Sequence, residues 1–234
     1  MTDAAPASPV MTPAQSTHVA LMHTLAQGFA DLPMVLKGGT ALLLCYGLDR
    51  FSEDLDFDAP KRFNLLSRVE KLMQRVATAH EVRVVKDTET VQRLKIHYTA
   101  RASLLASEPV LANMAEGVQR LLKIETSFRH APAAADVRLH DGIRVYALPR
   151  LIEQKLHALV QRTTARDLYD VAFLARSQAE AFSPQAWQTL RSAAADLNAL
   201  EARFLPAFED DAILNPGHLP EMLFQLQTAL EKHP

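Results

Sequence analysis

The sequence is poor in the features that usually place a protein quickly. A single cysteine, Cys45, excludes an intrachain disulfide and a cysteine-cluster zinc site. Glycines number 7 in 234 residues, with no internal repeat and no long linker. No apolar run approaches the roughly 18 residues needed to cross a bilayer. Neither charge sign dominates, since 25 Lys+Arg stand against 27 Asp+Glu for a net −2. A protein living on phosphate contacts usually reads more basic, so any nucleic-acid contact has to come from a local patch. Residues 1–13 are rich in Ala, Pro, Ser and Thr and lack the basic start and apolar core of a secretory signal. They read as a loosely held arm. With one thiol and no signal, a reducing, cytoplasmic setting is the expectation.

What is present is an ordinary hydrophobic fraction, 48%, patterned in two ways. Apolar residues fall at helical spacing over 18–30 and 65–77. Short strand-like runs occupy 34–36, 55–57, 82–85, 94–99 and 121–128. Residues 86–89 suit a hairpin turn, and 102–117 fit either a helix or an irregular insertion. After Pro149 helical periodicity takes over, with breaks expected at 163–164, 183–184, Pro206 and 215–217. The expected fold is α/β (α+β), a small mixed sheet flanked by helices with a C-terminal helical subdomain. The expected division is an arm over 1–13, a core over 14–147 and a helical part over 148–234.

The most informative stretch is Lys37-Gly38-Gly39-Thr40, followed by Arg50-Phe51-Ser52-Glu53-Asp54-Leu55-Asp56-Phe57. In a strand, residues two apart share a face, so Asp54, Asp56 and Asp58 point one way while Leu55 and Phe57 point to the core. Like charges so held are unfavourable unless a cation screens them. Hard carboxylate oxygens select Mg²⁺ (or Mn²⁺). The plain alternative is an edge strand with a solvated acidic face. A strand, two glycines, a hydroxyl residue and a helix also form a backbone N–H cradle for phosphate. For the glycines alone the plain alternative is a tight turn with Thr40 as helix cap.

Together these motifs resemble the nucleotidyltransferases of the AbiEii/AbiGii toxin family, within the DNA-polymerase-beta-like superfamily. The resemblance implies that Gly39 and Thr40 hold NTP phosphates and that Asp54 and Asp56 bind metal. Lys37, Gly38, Arg50 and Ser52 fall in the same NTP-binding motifs. A third carboxylate from a later strand is implied, and Glu125, within the apolar run 122–126, is the best candidate. Asp136 and Asp141 are weaker ones. Lys155 and the segment Arg166-Asp167-Leu168-Tyr169-Asp170 also resemble the family. They suggest Lys155 and Arg166 on the triphosphate and Asp167 near the active site, fixing Lys155 or a metal-bound water. The plain readings are a helix cap for Asp167, through a Thr164–Asp167 capping box, and an Arg166 partner for Asp170. The motif resemblance covers residues 33–174. Its departures are Gly-Thr for Gly-Ser and Pro149 where an acid is usual. Cys45, His157 and Trp187 read as packing residues.

The expected activity is transfer of a nucleoside monophosphate from an NTP to an acceptor hydroxyl, releasing pyrophosphate. Asp54, Asp56 and Glu125 would hold one metal; Asp54 and Asp56 would share the second. The resemblance implies a toxin with a cognate antitoxin, acting on RNA (such as a tRNA 3′ end) or on protein, with no membrane. An Asp-x-Asp glycosyltransferase and a non-catalytic binding module are the rivals. The basic residues Arg62, Arg68, Lys71 and Arg75 are the candidate acceptor surface.

Overall fold

A computed structural model describes residues 11–101 and 119–233. Most of the expected arm and the undecided stretch 102–117 lie outside the described residues. The chain divides into two compact units, one running to Tyr146 and one starting at Ala147.

The first unit is built on a seven-stranded mixed sheet. In chain order its strands are β1 (Val35–Lys37), β2 (Asp54–Asp58), β3 (Ala77–Asp87), β4 (Val91–Ala100), β5 (Gln119–Ser127), β6 (Val137–His140) and β7 (Ile143–Tyr146). In space they run β3-β4-β5-β2-β1-β7-β6. β2 is antiparallel to β1 and parallel to β5, and β1 is parallel to β7. The last two strands are additions to the expected set. They join through Asp141 and Gly142, both at positive φ, which is the backbone of a tight hairpin turn.

Among the described residues three helices accompany the sheet: α1 (Pro13–Gln27), α2 (Gly38–Tyr46) and α3 (Leu65–Val76). α1 begins five residues before the expected start because Thr12 and Gln15 form a reciprocal capping box. The alternation in β2 works as its sequence suggests. Leu55 and Phe57 are 0% and 1% exposed, each contributing about 1.5–3 kcal/mol of burial. Leu36, Leu94, Ile96, Leu122, Ile124 and Val145 complete this apolar face. α1 and α3 pack on it: Phe29 meets the Phe57 ring edge-on, and Glu70 accepts from His80 on β3.

The second unit is helical: α4 (Leu148–Gln161), α5 (Ala165–Ser177), α6 (Pro184–Ala193), α7 (Leu197–Glu209) and α8 (Leu219–Lys232). Breaks occur at 162–164, ahead of Pro184 and at 215–217, where expected. Pro206 does not break α7. An interior proline loses its own N–H bond and crowds the carbonyl four residues back, and the burial of Phe204 and Phe208 on either side of it offsets that cost.

Candidate active site

The site grows from the register of three strands. Asp56 lies opposite Lys37 of β1 on one side and Glu125 of β5 on the other. Asp54 lies opposite Lys123. Because residues in register share a face, Asp54, Asp56, Asp58 and Glu125 all point away from the face that α1 and α3 cover.

Each of three acids has a cationic neighbour. Asp54 Oδ2 is 3.3 Å from Lys123 Nζ. Glu125 Oε2 accepts from Arg93 Nε at 2.7 Å and also from its Nη2. Asp58, 5% exposed, accepts from Lys37 Nζ at 2.5 Å and from the Tyr146 hydroxyl at 3.0 Å. Lys37, expected on the triphosphate, is therefore engaged with Asp58. Among the described residues no three acidic, histidine or cysteine side chains converge as a ready-made metal cage. The donors nevertheless suit Mg²⁺, which takes one or two carboxylates and completes its shell with water and substrate phosphates. Asp54 and Asp56 are the pair that could supply them. Glu125 is in register beside Asp56 but held on one oxygen by Arg93.

The glycine turn serves two purposes. Gly38 has φ +76°, a conformation side chains avoid, and a Cβ there would lie 3.5 Å from Asp56 Oδ2. At Gly39 a Cβ would lie 2.6 Å from Arg50 Nη2 and 3.2 Å from Ser52 Oγ. The two glycines thus let the backbone approach the acidic strand and the loop before it. They open α2, whose first N–H groups have no partner within the helix and form the cradle that suits phosphate.

Thr40 lies inside α2 and is not the cap of the plain alternative, a position held by Lys37. Its hydroxyl, 2% exposed, donates to the Asp54 carbonyl at 2.5 Å and lies 2.8 Å from Ser52 Oγ. Thr40 and Ser52 are thereby ties that fix the start of β2. Arg50, 5% exposed, donates to the Phe51 carbonyl at 2.9 Å.

Sequence reasoning missed one further tie. His18 of α1 bonds the Glu53 carbonyl through Nε2 at 2.8 Å and the Tyr98 hydroxyl through Nδ1 at 2.6 Å. A carbonyl only accepts, so Nε2 carries the proton and Tyr98 donates to Nδ1. Burial lowers the His18 pKa below its ordinary value, keeping the ring neutral. Nothing in the spacing of nine histidines marks this one; only the packing of α1 does. Of the weaker acids, Asp141 sits in the β6–β7 turn, 2.9 Å from His23 Nε2. Asp136 belongs to a short 3₁₀ turn.

The helical unit holds a charged cluster of its own residues. Lys155 Nζ, in a residue 8% exposed, is 2.6 Å from Asp170 and 3.2 Å from Asp167. Arg162 Nε is 2.6 Å from Asp167, and the Thr164 hydroxyl donates to the same carboxylate at 2.5 Å. The expected capping box is not formed, because that hydroxyl serves the carboxylate and Thr164 makes no side-chain cap bond to the backbone. Burial alone would raise the Asp167 carboxyl. The Arg162 hydrogen bond, the Lys155 charge and the Thr164 bond outweigh it and hold the group at about 2. Arg166 pairs with Asp211 at 3.0 Å. Lys155 is thus neutralised by two carboxylates of its own unit, whereas the expectation gave it to phosphate.

Elsewhere, Cys45 is buried, and burial pushes its thiol up to about 12. Trp187, 8% exposed, stacks on Phe182 and His233.

A mixed sheet with an acidic strand, a third carboxylate in register and a glycine turn entering a helix defines a nucleotidyltransferase fold. The family model described as "Nucleotidyl transferase AbiEii toxin, Type IV TA system" matches residues 19–231, and the chain belongs to that family. The match extends well beyond the motifs at 33–174, taking in nearly all of the helical unit. Among solved structures, the chain resembles JHP933 from Helicobacter pylori at 34% identity and TM-score 0.79, covering 93% of this chain and 92% of that one. A putative nucleotidyltransferase from H. pylori is similar at 34% identity and TM-score 0.77, covering 92% and 94%. MenT4, a nucleotidyltransferase toxin from Mycobacterium tuberculosis H37Rv, shares the fold at 17% identity and TM-score 0.50, covering 94% and 84%. No curated protein matches the chain. No described helix is long and apolar enough to cross a membrane.

Proposed function

We propose that the chain transfers a nucleoside monophosphate from an NTP to an acceptor hydroxyl. The observation that carries this reading is the register that sets Asp56 beside Glu125, with Asp54 two residues away on the same face and the glycine turn alongside. In the proposed reaction the acceptor oxygen attacks the α-phosphorus, the bond to the bridging β-phosphate oxygen breaks, and pyrophosphate leaves. The hydroxyl proton passes to solvent. Divalent cations, when bound, neutralise the triphosphate and lower the pKa of the attacking hydroxyl. Asp54 and Asp56 would hold them, with Glu125 as the third ligand once its Arg93 contact opens. The first amides of α2 would carry the phosphates. Catalysis of this kind is mostly positioning and charge neutralisation. Thr40, Ser52 and His18 contribute by fixing the entry to β2.

The family setting supports a toxin with a cognate antitoxin and a cytoplasmic place of action. The test is incubation with each α-labelled NTP, Mg²⁺ or Mn²⁺, and total RNA or protein. Label should move to an acceptor as pyrophosphate appears. Asp56→Asn, which keeps the shape and removes a charge, should abolish transfer while the circular dichroism spectrum stays native. Release of a nucleoside diphosphate from a nucleotide-sugar would instead indicate glycosyl transfer.

A further inference from the structure

The face that carries the acids also carries an unusual arrangement of cations. Across β3, β4 and β5, Arg83 lies opposite Lys95, and Lys95 opposite Lys123, which in turn lies opposite Asp54. The neighbouring rung reads Lys86, Arg93, Glu125, Asp56. Two like-charged rungs thus run side by side toward the two central carboxylates. Like charges directly opposite on adjacent strands are destabilising, and here three stand in one row.

A β-bulge assembles the outer end. The β3–β4 register shifts between Val84 and Lys86. Without the extra residue Lys86 would point to the opposite face; with it, Arg83 and Lys86 share one face. Glu81 pairs with Arg83. No acid among the described residues pairs with Lys86 or Lys95. The inner cations, Lys123 and Arg93, hold Asp54 and Glu125. Folding accounts for the inner pair, and Glu81 for Arg83 in part; Lys86 and Lys95 are left without an acidic partner among the described residues.

The surface first expected for the acceptor, on α3, is less suitable. Arg68 donates to the Gly28 carbonyl from Nε and Nη2 and pairs with Asp31 at 2.6 Å. Arg62 pairs with Asp87. α3 also packs on the apolar face, on the other side of the sheet from Asp54 and Asp56.

We infer that Arg83, Lys86 and Lys95 form a docking track for the backbone of a nucleic-acid strand, delivering its terminal hydroxyl to the Asp54–Asp56 site. This rests on the transfer reaction proposed above. A polyanion is the partner whose charge relieves the repulsion in both rungs at once. The track ends at the acids, as an acceptor's path must.

The test uses the full chain carrying Arg83→Gln, Lys86→Gln and Lys95→Gln. Labelled single-stranded RNA and DNA of equal length are titrated against wild type and variant at several salt concentrations. Each lost phosphate contact lowers the salt slope by about 0.7 for single strands, so three should remove about 2 and weaken binding on the order of 100-fold near 0.1 M salt. Melting temperature should hold or rise as repulsion is removed. Mn²⁺–NTP binding should be unchanged, whereas Asp54→Asn should lose it and keep nucleic-acid affinity. RNA preferred over DNA, or bound equally, supports the track in either case. An unchanged slope and affinity in the triple variant, with Mn²⁺–NTP binding intact, overturns it and moves the acceptor to another surface or to a protein. Wild type that binds nucleic acid but no Mn²⁺–NTP would sink the transfer reaction and leave the track standing.

Discussion

A methyl group on Gly39 would press on Arg50 and Ser52, and neither has room to yield, since they are 5% and 9% exposed. Gly39→Ala should therefore cost about 1–3 kcal/mol, as overpacking does, and urea unfolding would measure it. An unchanged midpoint would mean that Arg50 relaxes freely and that the glycine is there for phosphate alone. At this scale much was legible. The period-2 alternation of β2 identifies its acids and its core residues from five letters. The glycine turn is equally local. The partners of these residues were not legible, because Lys123, Arg93 and His18 reach them through strand register and helix docking across 32 to 69 residues of chain. Thr40 shows the same limit: its identity marks a hydroxyl near phosphate, while only the fold shows that hydroxyl bonded to the Asp54 carbonyl.

At the scale of elements, local periodicity was sufficient where an element presents one long apolar stripe, as α3 does. It failed for β6 and β7, four residues each, because the alternation of Val137-Arg138-Leu139-His140 and of Ile143-Arg144-Val145 is too short to stand out from chance. The Asp141–Gly142 turn was the available signal. The α4–α5 junction makes a prediction of its own. Lys155, Arg162, Asp167 and Asp170 clamp two helices across a three-residue break, and removing one member of such a pair leaves an uncompensated buried charge. Lys155→Ala should cost about 3–5 kcal/mol of stability, whereas a role on the triphosphate alone would leave the fold intact. The pH dependence follows from Asp167, held at about 2 against an ordinary 3.8. A depressed carboxyl stabilises the fold above its unfolded pKa and loses that contribution as pH falls through the folded one. Stability should therefore drop by about 2 kcal/mol between pH 4 and pH 2. Asp167→Asn should remove that part of the acid limb in a pH series of chemical melts. A limb that survives the substitution would assign it to other carboxylates.

For the whole molecule, the acids of β2 divide into two kinds, and ligand-linked stability separates them. A ligand that binds only the native state adds RT ln(1 + [L]/Kd), about 2.7 kcal/mol at 100 times Kd. For a chain of this length that is about 5–10 °C in melting temperature. Wild type heated with Mn²⁺ and its NTP should show this shift, and a chelator should erase it. Asp54→Asn and Asp56→Asn should melt without the shift while their unliganded stability changes little, because each loses a partly solvated charge. Asp58→Asn should behave in the opposite way. Its carboxylate is buried between Lys37 and Tyr146, so the unliganded protein should lose about 2 kcal/mol from weakened charged hydrogen bonds. The ligand-induced shift should nevertheless survive. If Asp58→Asn instead loses the shift and keeps its basal stability, the third acid of the row binds the cation, and the pairing with Lys37 is a contact that NTP displaces.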